Sequence, residues 1–172
     1  MPQLRSLGAL LFWAVIAVPH TTAEPTNVVI TELSWADKQF MEAQIARVDD
    51  LVRTELGAQI HGQERDLDVL QRVVSRNLVE RTDTQTQQAL GLALGNVIAN
   101  KTGMQWVTYV DDAGRSRALC VKDTTHCLFP MTMLSRRMAV GLYPEVKKIY
   151  AEALEMVAPV INKSPYDVAT EG

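Results

Sequence analysis

Cys120 and Cys127 stand on either side of the turn-forming string Asp123-Thr124-Thr125, and no other pair in this chain is better placed to do chemistry. A hairpin centred on Asp123-Thr124 sets the two cysteines opposite one another on neighbouring strands. Opposed Cβ atoms lie roughly 4.5–5.5 Å apart there, near enough to bridge after a slight pinch. The ring so closed holds about eight residues, and chain entropy gives it about 2.5 kcal/mol of stabilisation. Zinc is the competing chemistry, with His126 as a third ligand. The C-x6-C spacing matches no structural zinc pattern, however, and a fourth ligand is missing. A nucleophilic Cys127 with His126 as its base fails on direction, because adjacent strand residues point to opposite faces. The spacing reads as a structural disulfide, with no metal.

The rest of the catalytic inventory is thin. The histidines are His20, His61 and His126, and no G-x-S-x-G, H-E-x-x-H, S-x-x-K or calcium-loop pattern occurs. Asp66, Asp68, Asp111 and Asp112 offer carboxylates at no spacing that demands acid–base work. Asp111 and Asp112 read as turn residues bonding nearby backbone N–H groups, and His61, before Gly62, as a solvated loop residue. No catalytic residue and no cofactor are assigned. Gly91, Gly95 and Ala99 form a small-residue stripe. Each glycine inside a helix costs about 1 kcal/mol against alanine, so Gly91 and Gly95 read as close-packing positions, with alanine the mildest replacement at Gly95. A phosphate cradle needs glycines at a helix N-terminus after a strand, and these fall mid-helix.

The segment from Phe129 to Arg137 is the candidate for recognition. On a helix started by Pro130, Met131, Leu134 and Met138 share one face, while Thr132, Ser135 and Arg136 lie toward others. Met and Arg are enriched at protein interfaces, and Arg forks suit carboxylates. Met131, Thr132, Ser135, Arg136 and Arg137 are therefore the expected partner-binding residues. The competing reading is a core-facing Met/Leu stripe with solvated arginines, or an arginine paired internally to Asp111 or Asp112.

Periodicity supplies the elements that must hold these groups. Asn27 to Ile30 is an extended lead, and Ser34 three residues before Asp37 makes a variant capping box. Met41, Ile45, Val48 and Val52 repeat on one face of a helix that Gly57 ends. A second helix from about Gln63 turns Leu67, Leu70, Val73, Val74 and Leu78 inward. Thr82 and Asp83 cap a third, apolar nearly all round, that runs to Lys101 and closes at Gly103. From Trp106 the period becomes two, giving strands Trp106–Val110, Arg115–Lys122 and His126–Phe129. A helix follows Pro130 through Met138 and breaks at Gly141. The last helix carries Val146, Tyr150, Ala153 and Val157 on one stripe, with Pro159 ending or kinking it. The expected fold class is α+β: helices flanking a small three-stranded antiparallel meander, one domain over residues 24–162, then a frayed tail over 163–172.

Residues 1–23 combine Arg5, the apolar run Leu7 to Val18 and the small residues Thr21-Thr22-Ala23, the pattern of a secretory signal peptide. The run is too short for a membrane span, which needs about 20 apolar residues, so no span is expected after cleavage. The formal net charge is −3 and becomes one unit more negative without Arg5. That argues against nucleic acid as a partner, because such binding rests on neutralised phosphates. Export to the periplasm or medium places both cysteines where disulfides persist.

Three blocks carry a family resemblance: Leu90-Gly91-x-x-Leu94-Gly95; Gly103-Met104-Gln105-Trp106-Val107 through Asp112-x-Gly114-Arg115; and Leu128-Phe129-Pro130-Met131-Thr132-Met133-Leu134-Ser135-Arg136-Arg137. On these, residues from about 66 to 137 resemble the bacterial DUF3806 domain family. The last block is the most specific. An acidic residue often follows the second glycine in that family, where this chain has Asn96, and the cysteine pair stands apart from the pattern. The family has no assigned activity, so the resemblance implies fold boundaries and no mechanism.

The expected function is an exported, non-catalytic binding module of the cell envelope with an envelope protein as partner, one form being an immunity-type protein that holds a toxin. The alternative is an envelope enzyme whose site is built from scattered carboxylates and arginines. The sequence sets no oligomeric state. The intact mass of protein purified from an extracytoplasmic fraction should begin at Glu24. Recovery of the uncleaved chain from cytoplasm alone would contradict export.

Overall fold

The two longest described helices start and stop where their local chemistry requires. A computed structural model describes residues 27–161; the proposed signal peptide over 1–23 and the tail over 163–172 lie outside the described residues. Ser34 caps α1 (Trp35–Leu56) through a reciprocal box with Asp37, and Gly57 closes it in the left-handed conformation at φ 60°. α2 (Asp66–Ser75) begins three residues later than its periodicity suggests. The cause is Asp66, whose carboxylate draws the amides of His61, Gly62 and Gln63 into a loop instead of a helical turn. Asn77, left-handed at φ 53°, then takes Leu78 out of the helix. Asp83 caps α3 (Thr84–Thr102) by accepting from the Thr86 amide, and Gly103 ends it.

The sheet has four strands, not three: β1 (Val29–Glu32), β2 (Gln105–Asp111), β3 (Gly114–Cys120) and β4 (Cys127–Leu128), all antiparallel in that order. The extended lead turns out to be the added strand, pairing Val29 with Val110 and Glu32 with Val107. It covers backbone groups of β2 that would otherwise form an open edge. β3 and β4 are shorter than the alternation implies. Asp123 is left-handed at φ 58°, and the bonds from Val121 N to His126 O and Thr124 N to Val121 O make these residues a turn.

Pro130 lacks an N–H, ends the sheet and opens α4 (Pro130–Ala139). α5 (Val146–Ile161) buries Val146, Tyr150, Ala153 and Val157 and continues past Pro159, which does not end it. Glu64 ties three elements together, accepting from Tyr150 Oη at 3.1 Å and pairing with Lys101 Nζ at 2.8 Å. Burial first, and then this bond to Glu64, pushes the Tyr150 phenol up to about 12.

α3 is the centre of the core. Leu90, Leu92, Ala93, Leu94 and Ile98 have no exposed surface, so it is covered on all sides. On its α4 side the backbones come unusually close. A Cβ on Gly91 would lie 2.4 Å from Pro130 O and 2.8 Å from Met131 Cα; one on Gly95 would lie 2.4 Å from Trp106 Cζ2 and 2.8 Å from Pro130 Cβ. Even a methyl group is thus crowded at both sites, and alanine remains the mildest replacement expected at Gly95. Trp106 has little room to retreat, since its indole N–H donates to Asn96 Oδ1 at 2.9 Å. Gly91→Ala should cost more than Gly95→Ala, because it meets backbone where Gly95 meets a side chain; each loss should fall in the range of about 1–3 kcal/mol. Urea denaturation of the two variants checks the order, and equal stability to wild type would show that α4 can shift away.

Candidate functional site

The turn after β3 and the register of β4 decide the fate of the two cysteines. Cys120 pairs directly with Cys127 across the β3–β4 ladder, with Cα atoms 4.0 Å apart, and a disulfide joins them. Cys120 is buried and Cys127 half-buried, while His126 is exposed beside them. The bond pins the two-residue β4, and therefore the entry into α4.

α4 holds the candidate recognition residues, and the structure divides them. Ser135 is 5% exposed and its hydroxyl donates to Met131 O at 3.0 Å, so Ser135 leaves the binding set. The reason is the bare seam at Gly91 and Gly95, which draws α4 so close to α3 that this side of the helix is covered. Met131 is half-buried, with its backbone against Gly91. Thr132 borders solvent, but its hydroxyl donates to Phe129 O at 3.0 Å within the first turn. Arg136 and Arg137 are exposed. Neither pairs with Asp111, Asp112 or any other acid among the described residues. Arg137 Nη1 donates to Met133 O at 2.6 Å, and Asp111 instead bonds the Ala113 amide across its turn.

Around these arginines lie three apolar groups that the expected set leaves out, two of them within the Phe129–Arg137 segment. Phe129 is 36% exposed and stacks edge-on against Tyr109, with ring centroids 5.2 Å apart; Met156 of α5 is 60% exposed. Together with Met133 they line a depression of about 290 Å³ that also touches Thr132, Arg136 and Arg137. A signal existed for both methionines. Met133 and Met156 each fall one position off the buried stripe of their own helix, where a polar residue would ordinarily stand.

Carboxylate chemistry is committed elsewhere. Asp37, 2% exposed, accepts from Arg115 Nη2, from Arg117 Nε at 3.0 Å and Nη2 at 2.9 Å, and from Ser34 Oγ. The hydrogen bond from Arg115 above all, then that from Ser34 and the charges of both arginines, hold the Asp37 carboxyl far below the ordinary carboxylate value against the effect of burial. Arg117 also lies over the Phe40 ring, 4.0 Å from its centroid. Asp66 is fully buried with one oxygen accepting three amides at 2.6–3.1 Å. The arginines at 115 and 117 share one strand face, which was a legible sign that an acid must meet them. That the acid is 78 residues away in the chain was not legible. Among the described residues, no group of three or more His, Cys, Asp or Glu side chains converges on a point that could hold a metal. No described helix is long and apolar enough to cross a membrane.

Residues 66–150 match the family DUF3806, described as a domain of unknown function. The match starts with α2 and ends in the first turns of α5, so β1 and α1, with Asp37, lie before it. A solved structure from Bacteroides thetaiotaomicron VPI-5482 is similar in fold, with a TM-score of 0.68 at 18% identity over 79% of this chain and 50% of that one. This chain therefore spans about half the length of that relative. No curated protein matches the sequence. Asn96, directly after the second glycine, accepts from the Trp106 indole N–H at 2.9 Å.

The Asp37 cluster carries a pH prediction. A carboxyl whose folded pKa is depressed stabilises the protein above its ordinary value, 3.8 for this group, and that contribution fades as pH falls below it. Asp37→Asn should cost about 3 kcal/mol at neutral pH, the lower end for a broken buried pair because Arg115 is half exposed. Its deficit against wild type should shrink by about 1 kcal/mol between pH 7 and pH 3. Urea denaturation at the two pH values tests this, and a deficit that grows on acidification would contradict the assignment.

Proposed function

We propose that this protein, a DUF3806-domain chain over residues 66–150, is an exported, non-catalytic binding module of the cell envelope that holds another protein against the outer face of α4. The observation that carries the reading is Arg136, exposed and unpaired among the described residues, beside the apolar groups Phe129, Met133 and Met156. Apolar anchors flanked by a free guanidinium suit a partner that brings carboxylates to an apolar contact. The wider depression on the outer sheet face, about 610 Å³ between Ile30, Val107 and Lys122, is lined by neither an aromatic nor a methionine.

An enzyme built on the carboxylates is less well supported. Asp37 is locked as an anion between two arginines and is a poor proton donor or acceptor near neutral pH. The leader over residues 1–23 and the Cys120–Cys127 bond both favour an oxidising compartment, which would place a partner in the periplasm or outside the cell. An immunity-type role, in which the partner is a toxin delivered to the envelope, is one form of this reading.

Arg136→Glu reverses the charge at an exposed position and should leave the melting temperature within a degree or two, since such surface changes are usually within about 0.5 kcal/mol. Immobilised wild type should retain a specific envelope protein that the variant retains at least about tenfold less, as expected for loss of a charged contact of more than about 1.4 kcal/mol. Equal retention by both proteins would remove α4 from the binding surface.

A further inference from the structure

α4 and α5 both rest on α3, and the depression at Phe129 and Met156 continues beyond Arg137. A second hollow of about 220 Å³ lies there, lined by Tyr143, Pro144, Ile149 and the charged groups Glu145, Lys148 and Glu152. Arg137 borders both hollows, and Lys148, Glu152 and Met156 recur every four residues along α5, which sets the two hollows end to end between α4 and α5. One wall carries Thr132, Met133 and Arg136 from α4; the other carries Met156, Glu152 and Lys148 from α5. Phe129 and the exposed Tyr143 mark its ends.

We propose that this groove is the seat of a short amphipathic helix of a partner protein, about three turns long, with carboxylates set against Arg136 and Arg137. The proposal rests on the reading of α4 as a docking face and specifies what docks. The walls decide the conformation. Both are helices whose backbone groups are bonded internally, so neither offers a strand edge on which an extended segment could add a ladder. The one strand that reaches the groove, β4, has two residues and is followed by Pro130, which has no N–H. A helix arrives with its backbone already satisfied and needs only side-chain contacts.

Length and charge set the rest. α4 spans ten residues, about 15 Å of axis, which matches anchors at i, i+4 and i+7 on the incoming helix. Met133 and Met156, flexible and polarizable, can fit varied apolar anchors. Lys148 lies between Glu145 and Glu152 on the far half, so positive charge there is locally balanced. At the near half, Arg136 and Arg137 form no ion pair among the described residues, and Arg137 donates to a carbonyl of its own helix. The unbalanced charge faces the groove at one end, and a partner helix acidic at that end fits it.

The test is selection of displayed random peptides about four turns long on the mature protein, repeated with Arg136→Glu and Met156→Glu. Met156 is 60% exposed, so that variant keeps the fold. Enriched peptides should share apolar residues at i, i+4 and i+7 with neighbouring Asp or Glu. They should gain helical circular dichroism on binding and lose about tenfold or more in affinity for each variant. Peptides that need Arg136 but not Met156, and that alternate with period two, would overturn the helical occupant and leave α4 as a docking face. Peptides indifferent to both variants, or no enrichment, would overturn the proposal and that reading together. Co-sedimentation with phosphatidylglycerol vesicles, or self-association, that disappears in Met156→Glu would give the groove to lipid or to a second copy and so overturn the proposal.

Discussion

The contact on which most of this structure depends is the approach of α4 to α3 over Gly91 and Gly95. Two bare positions in a helix are a local liability of about 1 kcal/mol each, offset here because Pro130 and the Trp106 ring fill the space a Cβ would need. That contact fixes the rotation of α4. Leu134, Ser135 and Met138 are then covered, and Thr132, Met133, Arg136 and Arg137 are left toward α5 and solvent. The disulfide at Cys120 and Cys127 acts on the same element from the other side, holding the short β4 that delivers the chain to Pro130. A close-packed seam behind the helix and a covalent pin before it fix the position of α4, as the proposed docking face requires.

Buried charge follows a separate logic. Asp37, Arg115 and Arg117 join α1 to the sheet at the end where apolar cover runs out, with Thr108 alongside. The aspartate comes from before the matched domain and the arginines from within it. The added strand β1 and helix α1 thus complete the domain, one by covering an edge and one by neutralising two inward-facing arginines. Asp66 does comparable work in the loop before α2, where three amides converge on one oxygen and Asn100 donates to Gly62 O from α3. These carboxylates hold the fold together through bonds within the chain.

Much of the fold was legible in the sequence because its signals are local. The capping residues Ser34 and Asp83, the closing residues Gly57 and Gly103, and the change of period at Trp106 mark element boundaries without reference to anything distant. The opposed cysteines were legible for the same reason, through one short turn. What was not legible depends on contacts between distant segments. β1 becomes a strand only because β2 presents an edge to it, and Ser135 turns inward only because Gly91 lets α4 come close. The short start of α2 reflects side-chain bonding by Asp66 that periodicity does not register. For the proposed recognition surface the sequence marked a segment, but not which of its side chains are exposed or what lies beside them. Arg136 and Arg137 lie on it, Ser135 does not, and Met156 comes from a helix that the linear string could not place beside it.

The central claim is that the α4 face is occupied by another protein in the cell. A photo-crosslinking amino acid placed at Thr132, in cells that export the full chain, addresses it directly, with the same group at Ala43 on the exposed side of α1 as control. Illumination should give a discrete protein adduct from position 132 that is missing from position 43. No adduct at 132, or the same adducts from both positions, would contradict the account.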